Sequence, residues 1–139
     1  MPLFGEKQDH SADDQAARAK VEWACSAPVA DLAAELVSAF RSRRDRDMRD
    51  LVNWLLFPRR PELQNTRDVK RVVGSTEELE RDLLEAIQLL EHAELILGVE
   101  NHVTGYDHRH RWRATRLGLE AVNNGKDVVR QRIKDRTGL

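Results

Sequence analysis

Apolar side chains recur at helical spacing through the middle of the chain. Between residues 29 and 40 they follow the i, i+3, i+4, i+7 order of an amphipathic helix. A second helix is predicted over residues 48–57, with Asp47 as its cap. Pro58 ends it, because the residue before a proline disfavours helical dihedral angles. Ser75 and Glu78 then form a capping box for the strongest helix, which ends near Ala93.

The apolar period changes from 3.6 to 2 after Ala93, which predicts a β-hairpin. In the first strand the side chains of one parity are apolar, namely Leu95, Leu97, Val99 and Val103. Residues 104–107 have turn composition. In the second strand His108, His110, Trp112 and Ala114 share one face, and Arg109, Arg111 and Arg113 share the other. Thr115 is the predicted cap of a short closing helix that stops at Gly125.

The remaining segments show weaker patterns. Residues 1–11 are predicted to be a flexible tail, and residues 12–139 a single domain. Residues 12–25 have helix-forming composition, and 126–136 form a last helical turn or two. The basic connection 58–74 contains two prolines. It leaves open a short turn of helix or an edge strand near residues 69–73.

These elements predict a mainly α fold with a small β-hairpin. The order resembles the winged helix-turn-helix superfamily over about residues 79–125, with extra N- and C-terminal helices. LLEAIQLLEHAELI (83–96) resembles the end of the third helix and the start of the wing. RHRWRATRLGLEAV (109–122) resembles the second wing strand and the closing helix, with Thr115 and Gly118 as its threonine and glycine. These segments are similar to those of the multiple-drug-resistance and phenolic-acid regulator families. The resemblance implies DNA binding.

Two features depart from that family. The connection between the second and third helices has about 17 residues, whereas a helix-turn-helix uses a turn of ~3–4. The third helix, which lies in the major groove in the family, is acidic here. DNA carries roughly one negative charge per 1.7 Å of helix axis. The usual docking of this helix is therefore repulsive.

Charge is distributed in blocks that the total of −1 conceals. The net charge is −4 over residues 1–40, +5 over 41–73, −7 over 74–100 and +5 over 101–139. A total near zero argues against a general polyanion binder, but two basic blocks can still steer a charged partner. The single cysteine, Cys25, suits a reducing cytoplasm. The sequence has no apolar run of membrane-spanning length and no secretory signal order.

The basic residues are the candidate nucleic-acid site. The hairpin contributes Tyr106, Arg109, Arg111 and Arg113, and the connection contributes Arg59, Arg60, Arg67, Lys70 and Arg71. For the hairpin the alternative is a solvated face that pairs with Glu100. For the connection, grouped with Arg41, Arg43, Arg44 and Arg46, the alternative is neutralisation of the acidic third helix, within the fold or across a dimer. Cys25 lacks an adjacent base, and no pattern of catalytic residues or cofactor motif appears.

Three histidines gather in the hairpin, and they allow a metal site as one interpretation. His102, His108 and His110 with Asp107 suggest zinc or nickel geometry. The pattern favours the alternative, in which His108 and His110 pack beside Trp112 or lie at the wing tip. No metal site is therefore predicted.

The sequence leaves two functions open. The first is a small transcriptional regulator that binds double-stranded DNA through the basic wing and connection. It would form a homodimer through residues 12–25 and 126–136, with contacts from Val21, Trp23, Val128, Val129 and Ile133. The second is a winged-helix interaction module whose acidic third helix binds a basic protein surface. An enzyme is not predicted.

Overall fold

A computed structural model describes residues 2–99 and 110–139, with side chains from Ser11 onward. The described part of the chain is mainly helical with a small sheet. Its helices are α1 (Pro2–Ser26), α2 (Val29–Leu36), α3 (Met48–Leu56), α4 (Thr66–Val73), α5 (Glu77–His92), α6 (Arg116–Asn124) and α7 (Lys126–Thr137). Its strands are β1 (Arg46–Asp47), β2 (Ile96–Val99) and β3 (Arg111–Ala114). None of these helices combines the length and apolar character needed to cross a bilayer.

The first helix is longer than the sequence predicts. It begins at Pro2, so residues predicted to form a flexible tail are helical in backbone. Its second half packs on α3, α4 and α5. Ala17 and Ala24 are buried there, and their small side chains allow the helices to approach closely. Apolar residues before Ala12 do not recur at helical spacing, so the sequence pattern did not predict this N-terminal extension of the helix.

The core lies between α2, α3, α5 and α7, with the base of the sheet at one end. The stripes predicted for α2, α3 and α5 are confirmed as buried positions. The largest fully buried side chains are Phe40, Leu32, Leu36, Leu51, Leu79, Leu83, Ile87, Leu90, Leu95, Ile133, Val37 and Val129. Burial of this apolar surface is the main favourable contribution to folding.

The two helix starts differ in how well the sequence indicated them. Asp47 caps α3 as predicted, because its side chain accepts a hydrogen bond from the Asp50 amide at 2.8 Å. The Asp50 side chain accepts in return from the Asp47 amide at 3.1 Å, which completes a capping box. The predicted capping box of Ser75 and Glu78 is wrong. The N-cap of α5 is Thr76, whose hydroxyl donates to Oε2 of Glu80 at 2.9 Å.

The connection 58–74 contains helix α4, so the helical alternative is confirmed and the edge strand is wrong. The side chain of Asn65 accepts from the Asp68 amide at 2.8 Å and caps the helix. Gly74, at a φ of 77°, ends it. The buried Asn53 of α3 donates to the Gln64 carbonyl at 3.1 Å and fixes the approach to α4.

The predicted hairpin is an antiparallel pair, and a strand that the sequence did not indicate extends it. The strand order is β1-β3-β2, with Trp112 of β3 opposite Arg46 on one side and Gly98 on the other. The predicted parity of the second strand is confirmed, since Trp112 is buried and Arg113 is exposed. The predicted parity of the first is wrong, because Ile96 is buried and Leu97 is 44% exposed.

The hairpin is joined to α6 at its base by backbone contact. The Thr115 amide donates to the Leu95 carbonyl at 3.0 Å, and the Thr115 hydroxyl donates to the Glu94 carbonyl at 2.6 Å. The same hydroxyl accepts from the Gly118 amide at 3.0 Å, which confirms Thr115 as the cap of α6. Gly118 itself lies directly against the backbone of Leu95.

The last helix belongs to the core of the protomer. It runs from Lys126 to Thr137 and packs on α2, α5 and α6. Val129 and Ile133 are 1% and 0% exposed. The prediction that these two residues supply dimer contacts is therefore wrong, because their side chains already contact the protomer's own core. Val128, which is half-buried, also packs against it.

Candidate nucleic-acid interface

Helix α4 presents a basic face to solvent. Arg67, Lys70 and Arg71 are exposed, and their i, i+3, i+4 spacing puts them on one side of the helix. Val69, which is 3% exposed, attaches the opposite side to the core. Arg71 lies 3.8 Å from the carboxylate of Asp68. Among the described residues, Arg67 and Lys70 form no ion pair.

Arg49 of α3 adds a cation that was absent from the predicted site. It lines a groove of about 320 Å³ between α3, α4 and α5. Lys70 lines the same groove, together with the hydroxyl residues Ser75 and Thr76 and the acids Glu77 and Glu80. The position of Arg49 on the exposed side of α3 was readable from the periodicity. Its proximity to α4 could not be predicted, because the sequence pattern did not decide between a helix and an edge strand in that segment.

Arg59 and Arg60 lie beside a carboxylate of α1. Nη2 of Arg60 lies 3.0 Å from Oδ2 of Asp13, and Nη1 of Arg59 lies 3.9 Å from Oδ1 of the same carboxylate. The Arg59 side chain is 86% exposed, whereas that of Arg60 is 32% exposed. Asp13 partly neutralises this pair, but Arg60 also lines one groove with Arg71 of α4, together with Asp14 and Asp68.

The described hairpin arginines face carboxylates. Arg113 donates to both oxygens of Asp45, with Nε–Oδ1 at 2.8 Å and Nη2–Oδ2 at 3.2 Å. This hydrogen-bonded carboxylate raises the pKa of Arg113. Arg111 is half-buried and lies opposite Asp47 across β1 and β3. Tyr106, Arg109 and the expected partner Glu100 lie outside the described residues.

The histidine cluster is only partly within the described residues. His102, His108 and Asp107 lie outside them. The ring of His110 stacks on that of Trp112, with centroids 6.4 Å apart and planes inclined by 25°. For His110 this is the packing alternative that the sequence offered.

The acids of α5 are not neutralised by the basic blocks. Within residues 11–99 and 110–139, none of them takes part in an ion pair. This surface comprises Glu77, Glu78, Glu80, Asp82, Glu85 and Glu91. Ion pairing of this helix by the connection inside the fold is therefore wrong for the described residues, although Lys70 lines one groove with Glu77 and Glu80. Neutralisation across a dimer stays a prediction.

Cys25 lies beside this acidic helix and should react slowly. Partial desolvation, a hydrogen bond to Asp82 and the charges of Asp82 and Glu78 raise its pKa from 9.0 to about 11. The reactive thiolate is then roughly a hundredfold scarcer at pH 8 than for an ordinary thiol. Because a thiolate of higher pKa is also the better nucleophile, we expect iodoacetamide to alkylate the native protein roughly tenfold more slowly than the urea-unfolded chain. Asp82→Asn should recover part of the rate, and equal rates for native and unfolded protein would contradict the prediction.

Comparison with protein-family models, curated protein sequences and solved structures finds no match to this chain.

Proposed function

We propose that the protein is a DNA-binding protein of the winged-helix type, a small transcriptional regulator that holds phosphates with α4. The observation that carries the proposal is the exposed basic face of Arg67, Lys70 and Arg71 on a helix anchored by Val69. Arg49 adds a cation on the adjoining groove, which the acids Glu77 and Glu80 also line. The sequence of helices, strand pair and closing helix supports the proposal, because it is the order that the winged-helix resemblance implies.

The electrostatics favour α4 over α5 as the helix that approaches DNA. The phosphate backbone supplies most of the binding free energy of such proteins and selects for unpaired cations. The face of α4 offers Arg67 and Lys70, whereas α5 offers six acids against Arg81. Bringing α5 into a groove would place these uncompensated charges against phosphates. The proposal therefore moves the contact from the third helix to the helix that precedes it.

The hairpin has a smaller part in this proposal than the sequence suggested. Asp45 occupies the hydrogen-bonding edge of Arg113, so a phosphate would have to displace a bidentate carboxylate. A homodimer remains part of the proposal through α1, where Val21 and Trp23 pack against the core and keep part of their surface exposed. Val129 and Ile133 are excluded from it by their burial within the protomer.

The test is the salt dependence of binding to a labelled random-sequence duplex, followed by fluorescence anisotropy. Binding should be detectable at low salt and fall steeply as salt is added, because counterions are released from the DNA. Substituting Arg67, Lys70 and Arg71 together by alanine should weaken binding by at least about tenfold. It should also lower the magnitude of the logarithmic salt slope by about 2–3, or roughly one per phosphate contact.

The matched control removes three cations elsewhere, by alanine at Arg116, Arg132 and Lys134. None of these residues forms an ion pair among the described residues, and the change in net charge is the same. This control should retain most of the affinity. Equal losses in the two triple variants would show a general charge effect, and the absence of duplex binding at low salt would overturn the proposal.

A second candidate is an interaction module that binds a basic protein surface through α5. It is favoured by the six acids of α5 that lack ion pairs among the described residues. Such a surface repels nucleic acid and attracts Lys- and Arg-rich segments. If no duplex binding is detected, this candidate replaces the first.

A further inference from the structure

A second groove, which we call the α5–hairpin groove, lies between the N-terminus of α3, α5 and β3. Its volume is about 420 Å³. Its apolar side chains are Met48, Leu84 and Trp112, and its polar ones are Asp47, Arg49, Glu80 and His110. Leu84 is 43% exposed and stands beside two further apolar side chains of the groove, Met48 and Trp112. Within the described residues, Leu84 is the exposed part of this apolar wall, whereas Met48 is half-buried and Trp112 is 8% exposed.

Acidic side chains lie on both sides of Leu84. Glu77, Glu80 and Glu91 are spaced from Leu84 by seven, four and seven residues along α5, which puts them in one stripe. Oε2 of Glu91 lies 3.9 Å from the position that a Cβ atom would take on Gly98. Gly98 is the residue paired with Trp112 across β2 and β3. Glu91 therefore adds negative charge near Gly98, the strand partner of Trp112. Glu80 adds negative charge inside the groove itself.

Two cationic or titratable groups lie at the same groove and modify this field. Arg49 stands at the border with the α4 groove, and His110 stacks on Trp112. Arg81 is the single basic residue of α5 outside its terminal His92. These groups do not offset six acids without ion pairs, so the field at the exposed leucine favours a cationic ligand.

We infer that the α5–hairpin groove binds a short protein segment with an apolar anchor between basic residues. The anchor packs against Leu84, Met48 and Trp112, and the flanking lysine or arginine side chains meet Glu80 and Glu91. This inference specifies the ligand of the second candidate function and does not depend on DNA binding by α4. Burial of the leucine wall supplies affinity, and the two acidic sides determine which segments are accepted.

The probe is an acetylated and amidated peptide, Lys-Lys-Leu-Leu-Lys-Lys, titrated into nitrogen-15-labelled protein and followed by NMR. The indole N–H signal of Trp112 should shift, with a dissociation constant of about 1 mM or tighter, the range of a short weak contact. Two further peptides separate the contributions. One replaces both leucines by serine and the other replaces all lysines by glutamate, and each should bind at least about fivefold more weakly.

The variant Leu84→Ser should weaken binding of the leucine peptide about tenfold, because it removes most of the apolar wall. Leu97→Ser is its matched control, since Leu97 is 44% exposed on the opposite face of the hairpin. It should leave binding unchanged. The inference is overturned if Trp112 does not respond, if the serine or glutamate peptide binds equally well, or if both variants lose affinity alike.

The same experiment separates this inference from the DNA-binding proposal. The triple alanine variant of Arg67, Lys70 and Arg71 should bind the leucine peptide as the unmodified protein does. Loss of duplex binding with retained peptide binding is the result expected when α4 holds DNA and the groove holds the peptide. A Trp112 response with no duplex binding by the unmodified protein would overturn the α4 proposal alone. Duplex binding without a Trp112 response would overturn the groove alone.

Discussion

Replacing Gly118 by alanine should destabilise the protein by about 3 kcal/mol, the upper range for overpacking a rigid site. A Cβ atom on Gly118 would lie 2.0 Å from the carbonyl oxygen of Leu95 and 2.9 Å from its carbonyl carbon. These are backbone atoms and cannot rotate away. The carbonyl is also held by the Thr115 amide at 3.0 Å, so relieving the clash breaks the junction of the hairpin and α6.

The measurement is urea unfolding monitored by circular dichroism. The free energies of unfolding of the variant and the unmodified protein are compared with the same dependence on urea concentration. Gly98→Ala is the matched control, because a Cβ there would meet only Oε2 of Glu91, at 3.9 Å. Alanine in a strand interior should leave stability unchanged or raise it by about 0.5–1 kcal/mol. If Gly118→Ala were as stable as Gly98→Ala, the close approach of α6 to Leu95 would be contradicted.

The variant Ile133→Ala should lose about 2–5 kcal/mol, the range for truncating a fully buried aliphatic side chain. Ile133 is 0% exposed, and α7 packs on α2, α5 and α6. The loss therefore arises within one protomer. We expect the difference in Tm between the variant and the unmodified protein to be independent of protein concentration.

Leu139→Ala is the control for this prediction, since Leu139 is 60% exposed. It should change stability by less than about 0.5 kcal/mol. A Tm difference that grows as the protein is diluted would place Ile133 in an interface between copies. That result would restore the dimer contact that the sequence pattern predicts for this residue.

Long apolar stripes were predictable because each is a local property of the sequence. The stripes of α2, α3 and α5 and the change of period at Leu95 correspond to the observed elements. The parity of β2 was wrong because Ile96, Leu97 and Val99 are all apolar. With no polar residue to mark the outer face, the choice depends on packing against α5, which no local pattern contains.

The candidate site was less predictable, because it depends on pairs that are far apart in sequence. Arg113 and Asp45 are separated by 68 residues, and Arg60 and Asp13 by 47. Composition shows that cations are present but not which carboxylates they meet. Arg67 and Lys70 were predicted as site residues, but their position on one exposed face depends on helix α4, which the pattern left open. The acidity of α5, by contrast, was readable from the chain and is retained on the surface.

The opposite charges of α4 and α5 make the electric field of this nearly neutral molecule uneven, with Lys70 and Glu77 lining one groove. A polyanion would be attracted by the face that carries Arg67 and Lys70 and repelled by the acids of α5, which would turn the protein as it approaches. Orientation would precede contact, so collisions would be productive more often than random tumbling allows. This alignment would weaken as the Debye length falls, from about 30 Å at 0.01 M salt to about 10 Å at 0.1 M.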